Sequence, residues 1–216
     1  MGCLYSQSKN IIRNFFKDSQ LAIGVNHSLY GSYWNDFMDE IDDSTGLDEV
    51  PYLNLNISLF KTYSEGLYGI KYISNGYNYR NEEEVLESKI KSESEFQMSL
   101  LKIFYLNPIS HGFHLGFEVG YFLNASLYRK GSIDSEVITI IEDDIDSKEW
   151  TDELEHSPYE FGGLAQYFFN FSDKLSLGLE GYFSFITSVN NLNKEPENSG
   201  IPTKFHYLNL NLIYKF

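Results

Sequence analysis

Residues 205–216, Phe205-His206-Tyr207-Leu208-Asn209-Leu210-Asn211-Leu212-Ile213-Tyr214-Lys215-Phe216, decide the fold. Phe216, Tyr214, Leu212, Leu210 and Leu208 share one parity, and Lys215, Asn211 and Asn209 share the other. Successive side chains of a strand point to opposite sides, so this segment has one oily face and one amide face. The same alternation recurs upstream. From Gln20 to Tyr30, Leu21, Ile23, Val25 and Leu29 oppose Ala22, Gly24, Asn26 and Ser28. From Pro51 to Phe60, Leu53, Leu55, Ile57 and Leu59 oppose Asn54, Asn56 and Ser58. Asparagine is disfavoured in strands, so its regular return implies a wet or hydrogen-bonded face.

Five further segments bring the count to eight: 67–75, 96–106, 113–127, 159–171 and 175–186. In 113–127, Phe113, Leu115, Phe117, Val119, Tyr121, Leu123, Ala125 and Leu127 form the apolar side. In 96–106, Phe96, Met98 and Leu100 have one parity and Leu101, Ile103 and Tyr105 the other, which predicts a β-bulge near Leu100 and Leu101. The connections alternate long and short: 31–50, 76–95, 128–158 and 187–204 are long, whereas 61–66, 107–112 and 172–174 are short. The long ones hold 25 of the 31 Asp and Glu residues, so acid is segregated to one predicted rim. An up-and-down barrel whose rims face different compartments has this pattern.

Composition sets outer bounds. No run approaches the roughly 20 apolar residues of a spanning helix, which excludes a helical membrane protein. The net charge of −15 argues against a nucleic-acid binder, which normally carries a basic face. The single cysteine, Cys3, forms no internal disulfide. Met1-Gly2-Cys3-Leu4-Tyr5-Ser6 fits a lipidation pattern at Gly2 or Cys3, and no secretory signal with an apolar h-region is visible ahead of the strands.

The alternation, the loop pattern and the aromatic terminus resemble the small eight-stranded bacterial outer-membrane barrels, the OmpA-like and OmpX-like proteins and their Bacteroidetes-type relatives. The resemblance covers about residues 18–216 and leaves residues 1–17 as a lead-in. It implies an all-β, eight-stranded, antiparallel up-and-down transmembrane β-barrel. That barrel is monomeric, sits in outer-membrane lipid and has both ends periplasmic. It further implies that Leu210, Leu212, Tyr214 and Phe216 form the signal read by the outer-membrane barrel assembly machinery. The contrasting fold is a soluble lipocalin-like ligand-binding barrel, which would place the oily residues inside and the asparagines outside.

No phosphate-binding glycine loop, Cys/His metal spacing or nucleophile elbow is present, and no cofactor is expected. His27, Ser28, His114 and Glu118 are the residues a lipid-modifying hydrolase would use, but adjacent strand residues face opposite ways, which separates His27 from Ser28. The expected role is therefore non-enzymatic, structural or surface-interacting. Glu118 and Glu180 point by parity into a lumen that eight strands leave just wide enough for side chains. Lys71, Lys102, His114 and Gln166 share that side and are expected to join them in a polar plug. Glu142, Asp143, Asp144 and Asp146 offer carboxylates to a divalent cation or an extracellular partner, though without the spacing of a calcium loop. Just before them, Val137 to Ile141 has strong β character, which extends the fifth and sixth strands above the membrane as a hairpin.

Overall fold

The computed structural model describes residues 17–30, 47–50, 54–63, 65–85, 88–148, 158–186 and 205–216. Gly2, Cys3, residues 51–53 and most of the first and last long connections lie outside the described residues. Ten strands are present among those described: β1 (Ser19–Tyr30), β2 (Leu47–Val50), β3 (Asn54–Tyr63), β4 (Gly66–Val85), β5 (Ser88–Ser110), β6 (Phe113–Ile133), β7 (Glu136–Asp146), β8 (Tyr159–Asn170), β9 (Leu175–Ile186) and β10 (Phe205–Lys215).

Eight of them close a ring. The order is β1, β3, β4, β5, β6, β8, β9, β10 and back to β1, with every neighbour antiparallel. The terminal strand forms the seam, running from Gln20 opposite Lys215 to Tyr30 opposite Phe205. Closure leaves the ring without a free edge, as a wall facing hydrocarbon requires.

The faces sort as the alternation predicts. Ile23, Leu55, Ile57, Leu208, Leu210 and Leu212 are exposed, whereas Asn26, Asn54, Asn56, Asn209 and Asn211 are buried. A lipocalin-like barrel requires the reverse, so that expectation is overturned: with amides inside, the apolar coat faces outward, where only lipid would bury it.

Three corrections concern register and length. The bulge falls at the predicted height but on the neighbouring strand. Ser99 faces Asn124 and Leu100 faces Phe122, which leaves Leu123 of β6 as the extra residue. β5 keeps one parity throughout, and Phe96, Met98 and Leu100 point inward with Lys102. In β6 the bulge reverses the faces, so Ala125, expected outside, is buried, and Leu127 packs against the core.

The connection 76–95, expected as a long loop, is strand on both sides: Tyr77 pairs with Phe96 and Val85 with Ser88. β4 has 20 residues where about 9 to 11 cross a bilayer, so the hairpin stands about 30 Å beyond the membrane along the strand. The hairpin expected from Val137–Ile141 is also present, formed by β6 and β7. Its tip, Asp134-Ser135, has both φ angles positive, the two-residue turn whose twist matches the strands it joins. Lys89 N–H donates to Asp134 Oδ1 at 2.7 Å, and Asp134 N–H donates to the Lys89 carbonyl at 2.8 Å, which ties this tip to β5. The projecting sheet therefore runs β2-β4-β5-β6-β7.

Near the short-turn rim aromatic rings pack across the lumen. Phe60 lies 5.9 Å from Phe104 and 6.3 Å from Phe168, and His114 meets Phe168 edge-on at 4.9 Å. Above this apolar plug sits the charged layer.

Candidate functional site

Lys71 and Lys102 are directly opposed across the β4–β5 ladder. Like charges in that position repel, and both side chains are fully buried, so the arrangement stands only if carboxylates surround them. Glu118 does so from β6. Its Oε2 lies 2.6 Å from Lys71 Nζ and its Oε1 2.9 Å from Lys102 Nζ, while Tyr207 Oη donates to Oε1 at 2.5 Å. Glu180, from β9, receives Lys71 Nζ at 2.6 Å and Asn209 Nδ2 at 2.5 Å on the same oxygen. Glu160, from β8, lies 3.1 Å from Lys102.

Two tyrosines complete the layer. Tyr182 and Tyr207, opposite each other on β9 and β10, stack with centroids 4.8 Å apart. Lys102 Nζ stands 3.9 Å above the Tyr182 ring, a cation–π contact shielded from water. Small residues make room for this traffic. A Cβ on Gly162 would lie 2.5 Å from the Tyr182 ring, and one on Gly120 would lie 3.2 Å from Lys102 Cγ.

Of the residues expected in the plug, Lys71, Lys102, Glu118 and Glu180 form one bonded network, and Gln166 is buried opposite Glu180 in the β8–β9 register. His114 stands apart, half-buried at the inner rim, with Nδ1 3.3 Å from the Gly112 carbonyl. Glu160, Tyr182 and Tyr207 were not among the expected members. Their signal was available, since Tyr182 shares the parity of Glu180 and Tyr207 that of Asn209.

The other candidates do not converge. His27 is exposed on the outer face and His114 points into the lumen, so the hydrolase set is not assembled; the Ser28 side chain lies outside the described residues. Glu142, Asp144 and Asp146 alternate with Asp143 along β7, which splits the carboxylates between two faces. Among the described residues no group of three or more His, Cys, Asp or Glu side chains is placed to hold a metal ion. In the β4–β5 hairpin the acid is partly neutralised in place, with Arg80 3.3 Å from Glu93 and Lys91 2.8 Å from Glu82. The hydrogen bond from Lys91 holds the Glu82 carboxyl below its ordinary range.

A closed ring of eight antiparallel strands, oily outside and ionic within, is a membrane-spanning wall filled with side chains. The fold is that of a small outer-membrane β-barrel. No protein-family model matches the chain, and no curated protein matches it in sequence. Among solved structures it is similar to Ail, the attachment invasion locus protein of Yersinia pestis, at 13% identity and a TM-score of 0.43, over 92% of this chain and 97% of that one. It is also similar to Neisserial surface protein A, at 8% identity and a TM-score of 0.39, over 93% and 98% of the two chains. The N-terminal β-barrel domain of Pseudomonas aeruginosa OprF gives 8% identity and a TM-score of 0.34, again over 93% and 98%. The fold assignment rests on the strand order and the two faces of the wall.

Proposed function

We propose that the protein is a non-enzymatic, monomeric barrel of the bacterial outer membrane that engages a surface partner through its projecting sheet. The observation that carries this reading is the contrast between its two ends. The spanning part is filled by Phe60, Phe104 and Phe168 and cross-linked by buried ion pairs, which suits a rigid support. The projecting part ends in β7, which among the described residues pairs on one side only, with β6, and Val137, Ile138, Ile140 and Ile141 are all exposed on it. Beyond them follow Glu142, Asp143 and Asp144.

An exposed edge with aliphatic side chains is a template for adding a strand from another chain. Its charge selects the partner: an extended segment with Lys or Arg opposite 142–144 and aliphatic residues opposite 137–141. The outward row Leu210, Leu212, Tyr214 and Phe216, on the strand that closes the barrel, is what the assembly machinery would read in this placement.

The test has two parts. Expressed behind a secretory signal in a Gram-negative host, the protein should fractionate with the outer membrane and show heat-modifiable mobility on gels. The refolded barrel should bind a labelled Lys/Val-alternating peptide, more weakly as salt rises, and a Glu/Val counterpart should not bind. Equal binding of both peptides, or unchanged binding after Ile138 and Ile140 are replaced by Lys, would refute the docking edge. Recovery in the soluble fraction would refute the location.

A further inference from the structure

The charges of the lumen do not balance. Among the described residues its buried ionisable side chains are two lysines, Lys71 and Lys102, and three glutamates, Glu118, Glu160 and Glu180, none more than 4% exposed. Lys71 is engaged by Glu118 and Glu180 at 2.6 Å each, and Lys102 by Glu118 at 2.9 Å. The surplus falls on Glu160. It shares Lys102 with a closer carboxylate, and neither of its oxygens makes an aligned hydrogen bond among the described residues, although Lys102 Nζ and the Tyr182 hydroxyl, both likewise unaligned, stand beside it. The groups facing it are Lys102 from β5, Glu118 from β6 and Tyr182 from β9, with Tyr207 of β10 over the same lysine.

Three carboxylates against two ammonium groups leave one negative charge in excess, which is costly in such a place, and the positive charge that neutralises it must come from solution. We propose that the lumen takes up one small cation beside Glu160, either a proton or an alkali-metal ion. The shared chemistry is a single positive charge small enough to pass between close-packed side chains. Elsewhere in the same lumen β10 carries neutral oxygen acceptors, Oδ1 of Asn209 and of Asn211, without a donor among the described residues. These two belong to a continuous amide wall, with Asn209 opposite Asn26, Asn26 opposite Asn54, and Asn211 and Asn56 flanking Gly24.

Infrared difference spectra of the refolded protein against Glu160→Gln test this. They are recorded from about pH 5 to pH 9, in sodium, potassium or N-methylglucamine chloride at equal ionic strength, with unfolding equilibria measured alongside. If the ion is a proton, the protonated-carboxyl stretch at neutral pH is lost in the variant. The wild-type unfolding constant then rises by up to tenfold per pH unit, because the folded state holds one proton more than the unfolded chain, and the variant lacks this slope. If it is an alkali ion, N-methylglucamine shifts the carboxylate band and raises the unfolding constant in the wild type alone. An ionised Glu160 indifferent to both pH and cation overturns the proposal, as does a variant with wild-type dependences. Should Glu160→Gln fail to refold, Glu118→Gln, which balances the count at two against two, must abolish the same dependences, and the wild-type spectra alone suffice to refute.

Discussion

Lys71→Met is the perturbation on which the lumen network stands or falls. The side chain is buried and its ammonium is shared at 2.6 Å between Glu118 and Glu180, with Tyr207 at 3.3 Å. Methionine fills nearly the same space, so packing changes little and the electrostatic loss is isolated. After substitution Glu118 keeps Lys102 and Tyr207, while Glu180 keeps the Asn209 amide and loses this lysine. Breaking one side of a buried ion pair costs about 3–5 kcal/mol because the abandoned charge stays buried. That is about 10² to 10⁴ in the unfolding equilibrium constant. Urea unfolding in detergent micelles, followed by gel mobility without heating, measures it. The triple variant Lys71→Met, Glu118→Gln, Glu180→Gln should regain most of the loss, since it removes Lys71 together with both its carboxylates and leaves Lys102 against Glu160, one charge of each sign. A single-variant loss below about 1 kcal/mol, the range of exposed pairs, would show that the network is hydrated and the reasoning mistaken.

Glu82 offers the contrast outside the membrane. Lys91 depresses its folded value, so its small contribution is present above the ordinary glutamate range and fades as pH falls through the depressed one. In Lys91→Gln the Glu82 side-chain carbon should titrate closer to the ordinary range, and an unchanged titration would mean that the pair is absent in solution. Gly162→Ala should push β8 from β9 and dislodge Tyr182 from Lys102, since the added methyl runs into the Phe183 carbonyl oxygen and meets the Tyr182 ring at 2.5–2.6 Å. A destabilisation of about 1–3 kcal/mol, typical of overpacking, is expected by the same urea assay, and a neutral effect would mean that the ring sits elsewhere. Ile57→Arg on the outer face should cost about 2–4 kcal/mol in bilayers and much less in a water-soluble surfactant such as amphipol, while equal costs in both would speak against lipid contact. Deleting Phe216 should leave refolding in detergent intact while lowering outer-membrane yield in cells, and equal losses in both would make its role purely structural.

What could be read in advance depended on how many answers each environment accepts. The outer face accepts one, so Leu210, Leu212 and Tyr214 mark a single shared face, and the alternation of long and short connections, with the aromatic terminus, turns that face outward. The inner face accepts Phe96 and Met98 as readily as Lys102, because an enclosed lumen rewards any side chain that fills it. Apolar character there carries no directional information, and for that reason the bulge was assigned to β5 when its extra residue is Leu123 on β6. The projecting hairpins were obscured differently. Above the membrane no solvent contrast enforces alternation, so Arg80, Glu82, Lys91 and Glu93 look like loop residues, and only their cross-strand pairing shows them to be a ribbon. Glu160 combines both difficulties. Its parity is plain, but its weight in the network depends on Lys102 lying inside, and that rested on a choice between two registers which the sequence left open. The surplus carboxylate is therefore a property of the assembled ring: it emerges once β5, β6 and β8 are set side by side, and no single strand contains it.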